Sequence, residues 1–244
     1  MSQRTGEVAR LRALVAEESS ASGSAGTADW LSGLCRTATR ELPASGVAIS
    51  LMTLEGSWAT AAASDPMSKA VDELQFTLGE GPCLDAFAAG RPVLVSDLAH
   101  DAAGRWPVYC SNAQGRGVHS VFAMPMRIGA ATLGIMDVFR EQPGPLSATA
   151  LSQALAFAEV ATLSLVNGQD GMPDGMAAGV GDVLDSSLEV YQAQGMVMVQ
   201  LGVSLAEALA RIRAYAYAND RGVGSVARDI LGRKLTLEGD QQRP

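Results

Sequence analysis

The chain has 244 residues, a formal net charge of −8 and a pI near 4.8, with 48% hydrophobic and 18% charged residues. That length holds one large domain or two small ones, and the composition excludes a disordered or fibrous chain. The uncharged run 190–206 carries three Gln and falls short of the roughly 20 mainly apolar residues of a membrane span. The first residues mix Arg4, Arg10 and Arg12 with Glu7, Glu17 and Glu18, unlike a secretory signal, so a cytoplasmic protein with no membrane partner is expected.

In chain order, residues 1–26 read as a flexible N-terminal segment. Residues 7–17 suit a short helix, but 19–25 (SSASGSA) are small-residue linker. Thr27 is a fair cap for a helix that stops at Pro43, with Trp30, Leu31, Leu34, Cys35 and Ala38 on its apolar face. Residues 47–54 and 58–63 flank Glu55-Gly56-Ser57 and read as a β-hairpin. Asp65-Pro66 opens a second helix, with Asp as cap and Pro at the first helical position. The segment 78–83 (LGEGPC) is a glycine-punctuated turn before a short helix at Pro82. Pro82 lacks an N–H and Glu80 repels anions, so this turn is structural and not a phosphate cradle. A strand at 92–95, a loop at 97–104, a helix from Pro107, strands at 118–127 and 132–139 and a helix at 146–166 follow, the last capped by Ser147. Strands and helices do not alternate regularly, which favours an α+β fold with a mainly antiparallel sheet.

Residues 167–181 (NGQDGMPDGMAAGVG) break the composition, and a domain boundary is expected there. All that follows reads as helix, at 182–201, from Leu205 to about Asn219, and at 222–231. Ser204 and Glu207 have capping-box spacing. The first of these helices has two apolar stripes, Leu184, Leu188, Tyr191, Gly195, Met198 and Val190, Gln194, Val197, Leu201. A helix apolar on two sides buries two faces. One would meet the next two helices and the other a second copy of itself, so a homodimer is expected, with Gly195 there for close packing against the second of the three helices or a partner helix.

Charge is uneven. Residues 1–180 hold 11 basic against 18 acidic residues, whereas 204–235 hold six against three. A basic helical patch on an acidic body suits nucleic acid, and equally an ordinary solvated surface. Cys35, Cys83 and Cys110 show no C-x-x-C spacing, and His100 and His119 have no neighbouring Cys or second His. No metal site, cofactor or disulfide is therefore expected.

Two regions resemble known modules. Gly79-Glu80-Gly81-Pro82-Cys83, Arg91-Pro92-Val93, Asp97-Leu98, Trp106-Pro107, Gly117-Val118 and the stretch from Pro125 to Gly134 resemble the GAF domains of bacterial signalling proteins. Gln192-Ala193, Gly195, Met198, Gly202, Glu207-Ala208, Arg213, Tyr215, Arg221, Val226-Ala227-Arg228 and Ile230 resemble the ANTAR domain, a three-helix RNA-binding module of transcription antiterminators. The resemblance implies a GAF-like sensor domain at 27–167, a linker at 168–181, an ANTAR-like domain at 182–235 and a tail at 236–244. It implies no catalytic residues, a small-molecule or protein signal at the first domain, and RNA hairpins in nascent transcripts bound at the second.

The residues expected at RNA are Gln194, Arg213, Tyr215, Arg221, Arg228, Arg233 and Lys234. Guanidiniums and ammoniums would meet phosphates, and aromatic rings would stack on unpaired bases. Gln194 stands where ANTAR domains usually carry Lys, and Val199, Ala214 and Ala216 replace other polar positions. Those departures keep a second expectation open, a protein-interaction regulator whose RNA face is lost. A third expectation is reduction of free methionine sulfoxide, as in one branch of GAF folds, with Cys83, Cys35 and Cys110 as the candidates.

Overall fold

The computed structural model describes the backbone of residues 2–21, 26–52, 58–166 and 176–237, and their side chains apart from 2, 3, 21 and 176–187. Five strands, β1 (Gly46–Met52), β2 (Trp58–Ala63), β3 (Val93–Val95), β4 (Ser120–Ile128) and β5 (Ala131–Arg140), form one antiparallel sheet in the order β2-β1-β5-β4-β3. The expected turn at Glu55-Gly56-Ser57 lies outside the described residues. The strands it joins pair antiparallel as expected, Met52 opposite Trp58.

Side chains alternate across the sheet, so each strand feeds two cores. Val47, Ile49, Leu51, Met136 and Val138 pack on one face against α1 (Ser2–Ala21), α2 (Thr27–Glu41) and α6 (Ala148–Val166). Ala48, Ile135 and Phe139 pack on the other face with α3 (Pro66–Leu78), α4 (Pro82–Ala89) and α5 (Pro107–Gly115). The same alternation turns Ser50 and Asp137 toward this second face. At Gly134 the strands pass so closely that a Cβ would sit 2.1 Å from the Ser50 carbonyl oxygen.

Local chemistry sets the helix ends. Asp65 caps α3, its Oδ1 accepting from the Ser68 N–H at 2.9 Å. Gly79 ends α3 in the left-handed region at φ 72°. Ser147 caps α6 by accepting from the Ala150 N–H at 3.1 Å. The loop expected at 97–104 contains a single π-helical turn, Leu98–Ala102, capped by Asp97.

The N-terminal segment 1–26 departs from expectation. Residues 2–21 form one helix, α1, and its Leu11 and Val15 are fully buried in the first core. Helix α6 is the longest apolar helix of the sheet domain. It has the length and mean hydropathy (1.4) of a span, although half of it is buried against the sheet and its neighbouring helices.

Three helices close the chain, α7 (Met176–Leu201), α8 (Leu205–Ala218) and α9 (Val223–Leu231). Helix α7 begins at Met176, inside the segment 168–181 expected to be linker; residues 167–175 are not described. Val190, Ala193, Val197, Ala208, Ile212, Ala216, Val226, Ala227 and Ile230 form their common core. Trp58 and Phe76 of the sheet domain belong to that same core, so the bundle docks on β2 and α3.

Candidate functional site

The seven residues expected at RNA do not share one face. Gln194 is 7% exposed, and its amide Nε2 donates to the Leu205 carbonyl at 2.6 Å. It braces the α7–α8 corner and does not face outward, because an uncharged amide can be buried where a Lys could not. Arg221 donates from Nη2 to Asp229 Oδ2 at 2.6 Å and to the Ser225 hydroxyl at 2.8 Å. Tyr215 is partly buried against the bundle core.

Arg213 points into the boundary between the domains, away from the open surface expected for it. Its guanidinium carbon lies 4.7 Å from the centroid of the Phe76 ring. Phe76 in turn stacks on Trp58, with centroids 4.8 Å apart and planes 16° from parallel. Burial holds the Arg213 guanidinium below the usual arginine pKa, and its Nε finds no hydrogen-bond acceptor among the described residues. The contact continues along α8 and its C-terminal turn: the Tyr217 hydroxyl accepts from Asn112 Nδ2 at 3.2 Å, and Asp220 lies 4.0 Å from Arg116.

Arg228, Arg233 and Lys234 are exposed. Arg228 lines a groove of about 340 Å³ between α9 and α3, with Lys69, Glu73 and Ser225. Arg233 opens onto a different groove, beside Gly195, Met196 and Val199 of α7. On that side of α7, Leu188, Tyr191 and Val199 are exposed, Val199 by 77%. A Cβ at Gly195 would meet nothing within 4 Å, so Gly195 makes no close packing against α8, and of the two expected roles only packing against a partner helix stays open. Ala216 is fully buried, which accounts for its small apolar side chain; Ala214 is exposed. Ser204 accepts from the Glu207 N–H as a cap, and the Glu207 carboxylate pairs with Arg211 at 2.9 Å.

The sequence offered no signal for the polar centre of the sheet domain. Asp72 of α3 and Asp137 of β5 are both fully buried. Asp72 Oδ2 accepts from the Ser50 and Thr60 hydroxyls at 2.5 and 2.6 Å. Asp137 Oδ2 accepts from Gln75 Nε2 at 2.7 Å, and Gln75 Oε1 accepts from the Cys83 N–H at 2.8 Å. Gly81, at φ 145°, leaves room for that amide: a Cβ there would lie 2.4 Å from Gln75 Oε1. Burial, and then the neighbouring Asp72 charge, raises the Asp137 pKa well above the carboxylate range. Burial pushes Asp72 up to about 6, against the pull of its two hydroxyl partners. Two carboxyls this close do not both ionise, so Asp137 keeps a proton at neutral pH.

The turn 78–83 is structural, as expected, with one addition. Glu80 Oε1 accepts from the Val108 and Tyr109 N–H groups at 2.8 Å each, so a carboxylate of the chain occupies the N-terminus of α5. The three thiols are buried. Cys35 belongs to the first core and Cys83 and Cys110 to the second, on opposite sides of the sheet. Burial raises all three thiol pKa values, that of Cys110 to about 11.

A five-stranded antiparallel sheet covered by helices on both faces, with a three-helix bundle docked at its edge, defines a two-module regulatory architecture. The chain belongs to the GAF domain family, whose model matches residues 25–166, and it carries an ANTAR domain, matched at residues 182–231. No curated protein matches the chain. Among solved structures, it resembles the GAF domain of a phosphoenolpyruvate-protein phosphotransferase from Coxiella burnetii at 14% identity and a TM-score of 0.50, covering 67% of this chain and 95% of that one. It is also similar to the GAF domain of an Acinetobacter phosphoenolpyruvate-protein phosphotransferase (14% identity, TM-score 0.46, 71% and 99% covered). A third neighbour is a free methionine-R-sulfoxide reductase from Neisseria meningitidis (16% identity, TM-score 0.45, 65% and 86% covered). At these identities the likeness concerns the fold alone. GAF and ANTAR modules are regulatory, and their pairing makes this chain a signal-responsive regulator with an RNA-binding type of module.

Proposed function

We propose that this chain is a cytoplasmic, non-enzymatic transcription antitermination regulator. Residues 27–167 sense a small-molecule or protein signal, and residues 182–235 bind hairpins in nascent RNA. Arg213 is a phosphate-binding residue withheld by the sensor domain until the signal arrives. The observation that carries this reading is the Arg213 guanidinium over the Phe76 ring at 4.7 Å, a direct tie between the two modules.

Arg228, Arg233 and Lys234 are accessible to phosphates in the docked arrangement, whereas Arg213 and Arg221 are engaged. Weak binding at rest and stronger binding after release follow from that division. The exposed stripe Leu188, Tyr191 and Val199 supports pairing with a second copy along α7. Two copies on paired hairpins would gain affinity through effective concentration. The buried thiols, with raised pKa values, speak against the reductase reading.

One set of observations favours a second reading, a protein-interaction regulator with no RNA face: Gln194 and Ala216 are buried and Val199 presents an apolar surface. A gel-shift on paired RNA hairpins at two salt concentrations separates the two. Phosphate contacts weaken as salt rises. Complex formation at low salt that falls away at high salt supports RNA binding, and no complex at micromolar protein and low salt supports the second reading.

A further inference from the structure

We propose that Asp72, Cys83 and Asp137 form a zinc site in the heart of the GAF domain. A carboxylate oxygen from each Asp and the Cys83 sulfur all lie within 4.8 Å of one another. Zn–O distances near 2.1 Å and a Zn–S distance near 2.3 Å place neighbouring ligand atoms on a tetrahedral ion roughly 3.5 Å apart. The three donors come from α3, the start of α4 and β5, and all are buried.

A second, independent observation points to the same place. Asp72 Oδ1, Asp137 Oδ1 and the Tyr109 hydroxyl are buried and, among the described residues, have no hydrogen-bond partner outside this cluster. The other oxygen of each carboxyl is held from behind, by Ser50 and Thr60 on Asp72 and by Gln75 on Asp137. Metal ligands are oriented in this way by the groups around them.

Charge completes the argument. No Lys or Arg among the described residues pairs with either carboxyl, so a buried acid pair faces a buried thiol without a cation. A divalent ion supplies the missing positive charge. Carboxylates alone would suit magnesium or calcium, but a thiolate in the set selects a softer ion, and zinc fits two oxygens and one sulfur. The site is independent of RNA binding and stands or falls without it.

The test uses the untagged full-length chain, stripped with a chelator, equilibrated with zinc chloride and measured by elemental analysis. About one zinc per chain is expected, together with a higher Tm with zinc than with chelator. Asp137→Asn and Cys83→Ser should each weaken zinc binding at least tenfold while circular dichroism shows an intact fold, and Cys110→Ser should bind as the wild type does. Asp72→Asn provides a further variant should either of the first two fail to fold. Wild-type protein that takes up no zinc overturns the proposal, as does uptake that Asp137→Asn and Cys83→Ser leave unchanged.

Discussion

The guanidinium of Arg213 lies over the ring of Phe76, 4.7 Å from its centroid, and joins the C-terminal helical bundle to the sheet domain. The ring is held from its other side by Trp58, the first residue of β2. A desolvated cation over an aromatic face contributes up to about 2 kcal/mol, comparable with the coupling free energies that link distant sites. A signal that moves β2 or α3 can therefore alter whether Arg213 is held or released.

Replacing Arg213 by Met keeps an unbranched apolar stem against Phe76 and removes the charge. The domain boundary should loosen by about 1–2 kcal/mol, read as a lower midpoint in urea unfolding. Combined with Phe76→Leu, which frees Arg213 from the ring, the same change should bind hairpin RNA more weakly at low salt than Phe76→Leu alone. Unchanged affinity would remove Arg213 from the RNA-binding residues.

Arg228 and Lys234 are open to solvent in the docked state. Arg228→Ala with Lys234→Ala should lower RNA affinity without shifting the unfolding midpoint. In a salt titration the slope of log K against log salt should flatten by about 0.7–0.9 for each phosphate the variant no longer neutralises. An unaltered slope would place the RNA elsewhere.

Gly134 is required by strand spacing. A methyl group there would sit 2.1 Å from the Ser50 carbonyl oxygen, backbone that cannot swing aside. Gly134→Ala should force β1 and β5 apart and destabilise the domain by about 3 kcal/mol, measured by chemical denaturation. Gly195→Ala faces open space and should be neutral or stabilising through helix propensity.

Asp65 gives an acid-dependent contribution. Burial raises its pKa, but hydrogen bonds from Ser64, Ser68 and the cap N–H groups outweigh burial and hold it below the usual carboxylate range. A lowered folded-state pKa contributes stability above the unfolded value near 4, and that stability is lost as pH falls through the folded value. Wild-type stability should decline below about pH 4, and Asp65→Asn, which still caps the helix, should show a shallower decline. Denaturant midpoints between pH 5 and pH 2.5 measure the difference.

Much of the fold was legible because period and punctuation are local signals. Turn residues between two apolar runs marked β1 and β2, Asp65-Pro66 marked the start of α3, and Ser204 marked α8. The N-terminal helix was read too short because its small residues resemble linker, and Leu11 and Val15 gain their burial from α2 and α6 far along the chain. The polar centre was invisible for the same reason: Asp72, Cys83 and Asp137 meet only once α3 and α4 cover the sheet. Spacing also misled at the basic residues. Arg213 lies on a face that helical periodicity leaves polar, Gln194 within an apolar stripe and Arg221 just before α9, yet Phe76, the Leu205 carbonyl and Asp229 claim them.

The central claim, that the sensor domain withholds Arg213 from RNA through Phe76, is tested most directly by Phe76→Leu. Affinity of the full-length wild-type and variant chains for paired hairpin RNA would be measured at two salt concentrations, with circular dichroism as a control for folding. Tighter binding by the variant at low salt, with a steeper loss as salt rises, is the expected result. Equal affinities and equal salt dependence for the two folded chains would contradict it.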